Sequence, residues 1–486
     1  MPAAAPASTG GYRLWFAALA AALLVGALSS LAFVPLLAVF ALAAVTTAVA
    51  LRPRDAVIAL ALASPFYDLV VIRIDGVADI RILEILWLVA AISLLLRVWS
   101  GSETRLRKPP RFFTTGLLVL SIWFVLTAAM SGGGLRPFIE SSQTVYLCVV
   151  GYVVASVVGG MEIPDLLRWL RPWAVIMSLV LFASLISYVL GVDPVARTVV
   201  SLPQMTVEYV QNSLLVQNAG SLNVDISRLG ILNLGPVGTA AMLVSILAIT
   251  FAFTLTDTRP AAMRAAYMLL IAGGAVLLLT YSRAGWVLAV AAAGIIILGS
   301  NHRRATVAIA ILTIGLAVVA SLPSVAPRIE EFTDTGEGSY QAHGRMWVTA
   351  IAMIRERPVF GWGPGMYAEN ADRLAIGTWM ATDISADQPH NWVLEITAET
   401  GVVGGLIAIV FTVWILIWGW RHVRGAPLPA FGVWVATGCY VAMNLTLNAF
   451  RTEMMWVWFG ALIGISAWFS SAGQRALPRE DVACAS

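Results

Sequence analysis

The chain has 486 residues, of which 59% are hydrophobic and 12% charged, about half the charged share of an ordinary soluble domain. The bilayer is therefore its main solvent, and no large soluble domain fits between its apolar runs. The net charge of +3 comes from 29 arginines and a single lysine, Lys108, against 27 acids, which gives no case for nucleic acid as a partner.

In chain order, apolar runs of roughly 17 to 25 residues can each cross a hydrocarbon core of about 30 Å. Hydropathy predicts spans near Leu14–Ser30, Phe33–Leu51, Ala56–Ile72, Ile80–Leu96, Phe112–Met130, Thr144–Val158 and Trp173–Leu190. Further spans follow near Ile231–Leu255, Ala265–Tyr281, Gly285–Leu298, Ala305–Leu322, Val402–Trp420, Phe431–Leu447 and Met454–Phe469. The first run lacks a convincing cleavage site and is read as a span. The fold class is an all-α, polytopic transmembrane bundle of about 12–14 spans with a long extracytoplasmic loop containing amphipathic helices. Its organisation is 1–191 N-terminal helices, 192–322 central helices, 323–401 a large outer loop, 402–470 C-terminal helices and 471–486 a tail.

Alternate connections carry Arg52/Arg54, Arg97 through Arg111, Arg168/Arg171, Arg259/Arg264, Arg303/Arg304 and Arg421/Arg424, so these should be cytoplasmic. With an even number of spans, both termini fall inside too. The opposite face then carries two long connections, Gly191 to Gly230 and Pro323 to Gly401, and function is to be sought there. In the second, Trp347, Ile351 and Ile354 recur at helical spacing before Pro358, an amphipathic helix able to lie on the membrane surface over a site.

Arg283, in TYSRAGW, stands at the outer boundary between two spans, where a charge either snorkels to headgroups or serves a function. Arg345 opens the amphipathic helix. It suits a phosphate-bearing ligand, since arginine binds phosphate through charge-assisted, often bidentate hydrogen bonds, and it equally suits a solvated helix face. His390, in PHNWVLEITAETGVVGG, titrates in the range needed for proton transfer. His302 and His422 lie in arginine clusters and His343 in a Gly-containing stretch, and all three read as surface histidines. The outer face shows no HExxH, DxD or His/Cys spacing for a metal, and GWGPGMY lacks the Lys and Ser/Thr of a nucleotide loop. Cys148, Cys439 and Cys484 show no pairing pattern.

The run TYSRAGW, then GRMWVTAIAMIRERPVFGWGPGMY, then PHNWVLEITAETGVVGG resembles the O-antigen ligase and polymerase superfamily over about Leu229 to Phe411. The resemblance implies an all-helical bacterial inner-membrane glycosyltransferase. Its donor would be an undecaprenyl diphosphate glycan and its acceptor a glycan or glycolipid hydroxyl, with the site facing the periplasm and no metal, nucleotide or other cofactor. By the same resemblance, Arg283 and Arg345 bind the donor diphosphate and His390 acts at the acceptor hydroxyl. Asn391 and Tyr281 are support positions beside them. Glu399 would either orient His390 or favour the start of the following helix. Arg136 and Arg451 would extend an anion pocket or anchor to headgroups.

A ligase and a repeat-unit polymerase need the same donor site, so both readings stand. The rival from another class is a lipid-linked oligosaccharide flippase. Transporters place polar residues near the midplane and often have two similar halves, whereas the charges here gather at one face and the halves look unlike.

Overall fold

A computed structural model describes residues 45–66, 70–74, 78–103, 105–190, 197–202, 205–210, 217–219, 228–231, 234–256, 260–300, 338–375, 388–448 and 450–472. The expected spans near Leu14–Ser30 and Ala305–Leu322, and most of Phe33–Leu51, lie outside the described residues.

The architecture is a helical bundle. Its helices are α1 (Pro53–Ala63), α2 (Ile82–Trp99), α3 (Arg111–Ser131), α4 (Arg136–Gly159), α5 (Ile163–Val189), α6 (Gly235–Thr254), α7 (Pro260–Leu279) and α8 (Arg283–Gly299). They continue with α9 (Gly338–Glu356), α10 (Tyr367–Ala375), α11 (Trp392–Val423), α12 (Leu428–Met443) and α13 (Glu453–Ala472). Among the described residues, six helices are long and apolar enough to cross a membrane: α2, α3, α4, most of α5, α6 and α11. Shorter apolar helices cover Met263–Leu279, Arg283–Gly299 and Leu428–Met443.

Glycine lets α13 lie close against α4. Gly460 and Gly464 of α13, one turn apart, lie so close to α4 that a Cβ at Gly460 would come within 2.6 Å of the Gly151 carbonyl, and one at Gly464 within 2.8 Å of Val158. Small residues at this spacing let two backbones meet where lipid supplies no hydrophobic drive.

The arginine-rich connections gather at one end. Arg54 donates to the Gly160 carbonyl at 3.1 Å, Arg97 donates to that of Leu51, and the Arg107 amide bonds Ser156. The other end carries the long connections. Here the expected span Ala56–Ile72 is corrected: α1 stops at Ala63 and Val70–Ile74 is a strand. A single 3-10 turn follows over Ser64–Phe66: Pro65 has no amide to continue the helix, the Ser64 hydroxyl donates to the Ala61 carbonyl at 2.8 Å instead, and the β-branched run VVIRI prefers a pleated surface. With β1 (Val70–Ile74), β2 (Ala78–Arg81), β3 (Arg197–Leu202) and β4 (Met205–Val210), a small antiparallel sheet forms in the order β2-β1-β4-β3, Ile72 pairing with both Ile80 and Val207. A second pair joins β5 (Gln217–Ala219) to β6 (Arg228–Gly230). Hydropathy gives no signal for this minor β component.

Helix α11 spans 32 residues, about 48 Å of helix, more than a membrane needs. Gly401 breaks it, with φ 74° and ψ 173°. The leg Val402–Val423 is about 33 Å long and coincides with the expected span. The leg Trp392–Thr400 stands beyond it and carries the long outer loop. Helix α9 buries Ala350 and Met353 against Trp362, Met366 and Tyr367 and against Ala398 of this leg, and Met346, buried one turn earlier, accepts from the Tyr367 hydroxyl at its carbonyl at 3.0 Å. The buried stripe is thus one position off the expected one, and Trp347 and Ile351 remain about 40% exposed. Helix α9 ends at Glu356, two residues before Pro358.

A helix break costs backbone hydrogen bonds unless other groups replace them. Here the GWGPG segment does so. The amides of Trp362 and Gly363 donate to the carbonyls of Ala398 and Glu399 at 3.1 and 2.8 Å, and the Val402 amide donates to Pro358 at 2.8 Å. Trp123 Nε1 of α3 donates to the Thr400 carbonyl at 3.0 Å. A Cβ at Gly401 would stand 1.9 Å from the Val359 oxygen, in an extended positive-φ region that is essentially glycine's alone and costs another residue roughly 1–3 kcal/mol. Gly401→Ala should therefore lower the melting temperature of the purified protein sharply, whereas Gly438→Ala, inside α12 and meeting nothing within 4 Å, should not lower it, since alanine is the better helix former; melting of the two variants in the same detergent checks this.

Candidate active site

Two helix starts at the loop-bearing end share one construction. Tyr281 and His390 have φ of 50° and 48° and are the non-glycine residues with positive φ among those described. Such conformations cost energy and cluster at functional sites. Each directly precedes an N-cap. Ser282 Oγ accepts from the Gly285 amide at 3.2 Å to start α8. Asn391 Oδ1 accepts from the amides of Val393 and Leu394 at 3.0 and 3.2 Å to start α11. Arg283 is thus the first residue of α8, half-buried, and Tyr281 is 4% exposed with its ring 6.2 Å from Trp286.

The two starts lie at the same end. Helices α8 and α12 run antiparallel, since a Cβ on Gly299 would meet Phe431 at 2.9 Å and Cys439 Sγ stands 3.9 Å from the Leu288 carbonyl. Continuing that register by five residues on each helix brings Arg283 level with Asn444. The Asn444 carbonyl in turn accepts from the Trp392 amide at 3.2 Å, and Trp392 stacks on Phe450 with centroids 5.0 Å apart. Two helix N-termini, each carrying about half a positive charge, therefore lie at one end of the bundle beside Arg283 and His390; the amides of Trp392, Val393, Leu394 and Glu395 are taken up by Asn391 and Asn444, so what α11 offers an anion there is its dipole rather than free donors.

His390 is covered by α9. Trp347 Nε1 donates to the Pro389 carbonyl at 3.1 Å, and one turn earlier on α9 the His343 ring meets that of His390 edge-on, centroids 5.4 Å apart. His343, read from sequence as a surface histidine, is instead packed against the candidate base. Burial holds the His390 imidazole below its ordinary pKa, and His343 adds to this; burial does the same to His343. Two imidazolium charges at that separation would repel by on the order of 3 kcal/mol at an effective dielectric of about 20, so the pair resists a second proton.

Glu399, 1% exposed, does not reach His390, since nine residues of helix put about 13 Å between them along the axis. It pairs with Arg451, which also reaches Glu140 of α4 at 3.5 Å. It accepts from the Tyr367 amide at 3.3 Å, at the start of α10. Glu399 thus meets the start of α10 rather than His390. Arg451 is no headgroup anchor: its side chain is 15% exposed, and its guanidinium lies 5.8 Å from the Phe124 ring centre. Arg136, at the start of α4, pairs with Glu369 of α10 at 2.5 Å. Arg357 donates to the Ser131 carbonyl at 3.1 Å and lies 4.1 Å over the Trp362 ring. These contacts tie the outer loop to α3, α4 and the α12–α13 connection. Arg345 lies in α9 two residues after His343; its side chain, with Asp383 and Asp387, is outside the described residues.

Sequence reading missed Glu140, Tyr367 and Glu395 beside the cluster. Glu140 had a signal, a lone carboxylate at the edge of an apolar run. Among the described residues, no three His, Cys, Asp or Glu side chains gather as metal ligands do.

Fold and site together define a multi-pass helical membrane protein whose conspicuous charged groups converge on the end that carries the large outer loop. Residues 266–409 match the family model described as O-antigen ligase, a stretch holding both helix starts and the outer loop. A comparison with curated proteins gives no match.

Removing one member of a buried ion pair typically costs about 3–5 kcal/mol, because the partner charge is left uncompensated. Arg451→Leu, which strands Glu399 and Glu140, should lower thermal stability by that order, and adding Glu399→Gln to it should restore part of the loss; melting curves of the single and double variants check the coupling.

Proposed function

We propose that the protein is a glycosyltransferase that moves a glycan from an undecaprenyl diphosphate carrier to an acceptor hydroxyl on the periplasmic face of a bacterial inner membrane, in the manner of an O-antigen ligase. The observation that carries this reading is the pairing of Arg283 and His390 at two capped helix starts, at the end away from the arginine-rich connections and inside the stretch matching the O-antigen ligase model. In one displacement, the acceptor oxygen attacks the anomeric carbon as His390 takes its proton, and the bond to the diphosphate breaks. Arg283 and Arg345, aided by the positive ends of the two helices, stabilise the charge growing on the leaving diphosphate. Tyr281 and Asn391 orient Arg283 and His390 through the turns they form. Glu399, Arg451 and Arg136 hold the outer loop in register.

A repeat-unit polymerase uses the same donor chemistry with a lipid-linked acceptor, and the product distinguishes the two. The protein in lipid, given a synthetic polyprenyl diphosphate glycan without metal or ATP, should form a product, as a ladder of sizes for a polymerase and a single transfer for a ligase. His390→Ala and Arg283→Ala should each reduce the rate by about a hundredfold or more. Since the folded-state pKa of His390 is lowered, its neutral form persists to more acid pH, and the acid limb of the rate should fall below the ordinary histidine value of about 6.5. Carrier translocation across vesicles with no glycan transfer would favour a flippase.

A further inference from the structure

His343 belongs to no motif of the resemblance, yet it is the described titratable group that acts on His390. It stands on the inward face of α9, four residues before Trp347, which holds Pro389, and three before Met346, which is 5% exposed and accepts from the Tyr367 hydroxyl at its carbonyl. Its Nδ1 is fully buried and makes no hydrogen bond among the described residues. A buried imidazole nitrogen without a partner carries a desolvation cost that a packed interior rarely tolerates. Here it lies beside the ring whose protonation the proposed reaction requires. The carboxylates nearby are engaged elsewhere, Glu399 with Arg451 and Glu395 beside Arg451 and Asn448.

Resting on the glycosyltransferase reading, we propose that His343 and His390 work as a pair holding a single proton, His390 taking it from the acceptor hydroxyl while Nδ1 of His343 accepts the hydrogen bond of the imidazolium that forms. The rings meet edge to face, and a rotation of the His390 side chain turns that contact into N–H···N contact. The balance is simple. The acceptor oxygen bonds the anomeric carbon, the carrier oxygen leaves with its electron pair as diphosphate, and the hydroxyl proton goes to His390. The pair resists a second proton, so this one passes to solvent at the outer face before the next turnover. His343 is therefore a positioning residue, acting through His390 as the third member of a triad acts on its base.

The test reads the pair without needing turnover. In nanodiscs, the rate at which diethyl pyrocarbonate modifies His390, followed by mass spectrometry across pH, reports its neutral fraction. Two coupled sites titrate in two steps, so His390 should show a two-step curve in the full-length protein and a single-site curve in His343→Phe. Glycan transfer should fall by at least about tenfold in His343→Phe and recover to within about threefold of the parent in His343→Gln, which keeps an acceptor. A single-site curve in the parent, or the same curve in both proteins, overturns the pair, as does undiminished transfer by His343→Phe at all pH. Equal loss in the Phe and Gln variants, with the curve unchanged, would mark His343 as packing alone. A two-step curve with no transfer to any acceptor keeps the pair and defeats the glycosyltransferase reading.

Discussion

The break in α11 at Gly401 is the constraint on which the outer half of the molecule rests. A continuous helix would have bonded its carbonyls to its own amides and offered nothing to the loop. The break leaves the carbonyls of Ala398, Glu399 and Thr400 open, and the amides of Trp362 and Gly363 and the Trp123 indole take them up. Backbone bonding in a poorly hydrated region is close to obligatory, so the loop is held by groups that cannot be left unpaired. The apolar contact between α9 and the Trp392–Thr400 leg completes the joint. Helix α9 and the start of α11 thereby become one rigid unit, with His343 and His390 on its inner seam.

Charge fixes the same unit from the side. Arg451 stands among Glu140, Glu395 and Glu399, which belong to α4 and α11, while it comes from the connection between α12 and α13. One guanidinium thus fastens three parts of the bundle, and its burial makes it a poor candidate for catching a soluble anion. In the proposed mechanism that task falls to the rim, to Arg283 and Arg345, at the end where α8 and α11 begin and the helix dipoles favour negative charge. The division between a buried acidic clasp and a basic rim is what the proposed chemistry needs, since a diphosphate must be met by positive groups that the protein's own carboxylates do not neutralise.

Much of this was legible in the chain. The long apolar runs and alternating arginines marked the bundle, and Val402 as the start of a span matched the kink to within one residue, because Gly401 follows a leg too polar to cross a membrane. The strand at Val70–Ile74 was not legible, since an apolar run of that length is equally helix or strand until its partner is known, and the partner is β4, more than 130 residues away. The Glu399–Arg451 pair was hidden for the same reason: both residues stood out as charges, but a sequence does not say which charges meet. His343 was misread because it lies in a polar stretch that loop composition makes look exposed, and only the docking of α9 brings it to His390.

The proposed chemistry depends most on sidedness, with His390 and the outer loop facing away from the arginine-rich connections across the membrane. In sealed right-side-out vesicles, from a background in which Cys484 is replaced by serine and the buried Cys148 and Cys439 are left in place, single cysteines at Gln388, exposed beside His390, and at Gly425, exposed in the arginine-bearing connection before α12, can be probed with a membrane-impermeant maleimide. Labelling at 388 and protection at 425 until the vesicles are opened is the result predicted; labelling at 425 with protection at 388 would contradict it.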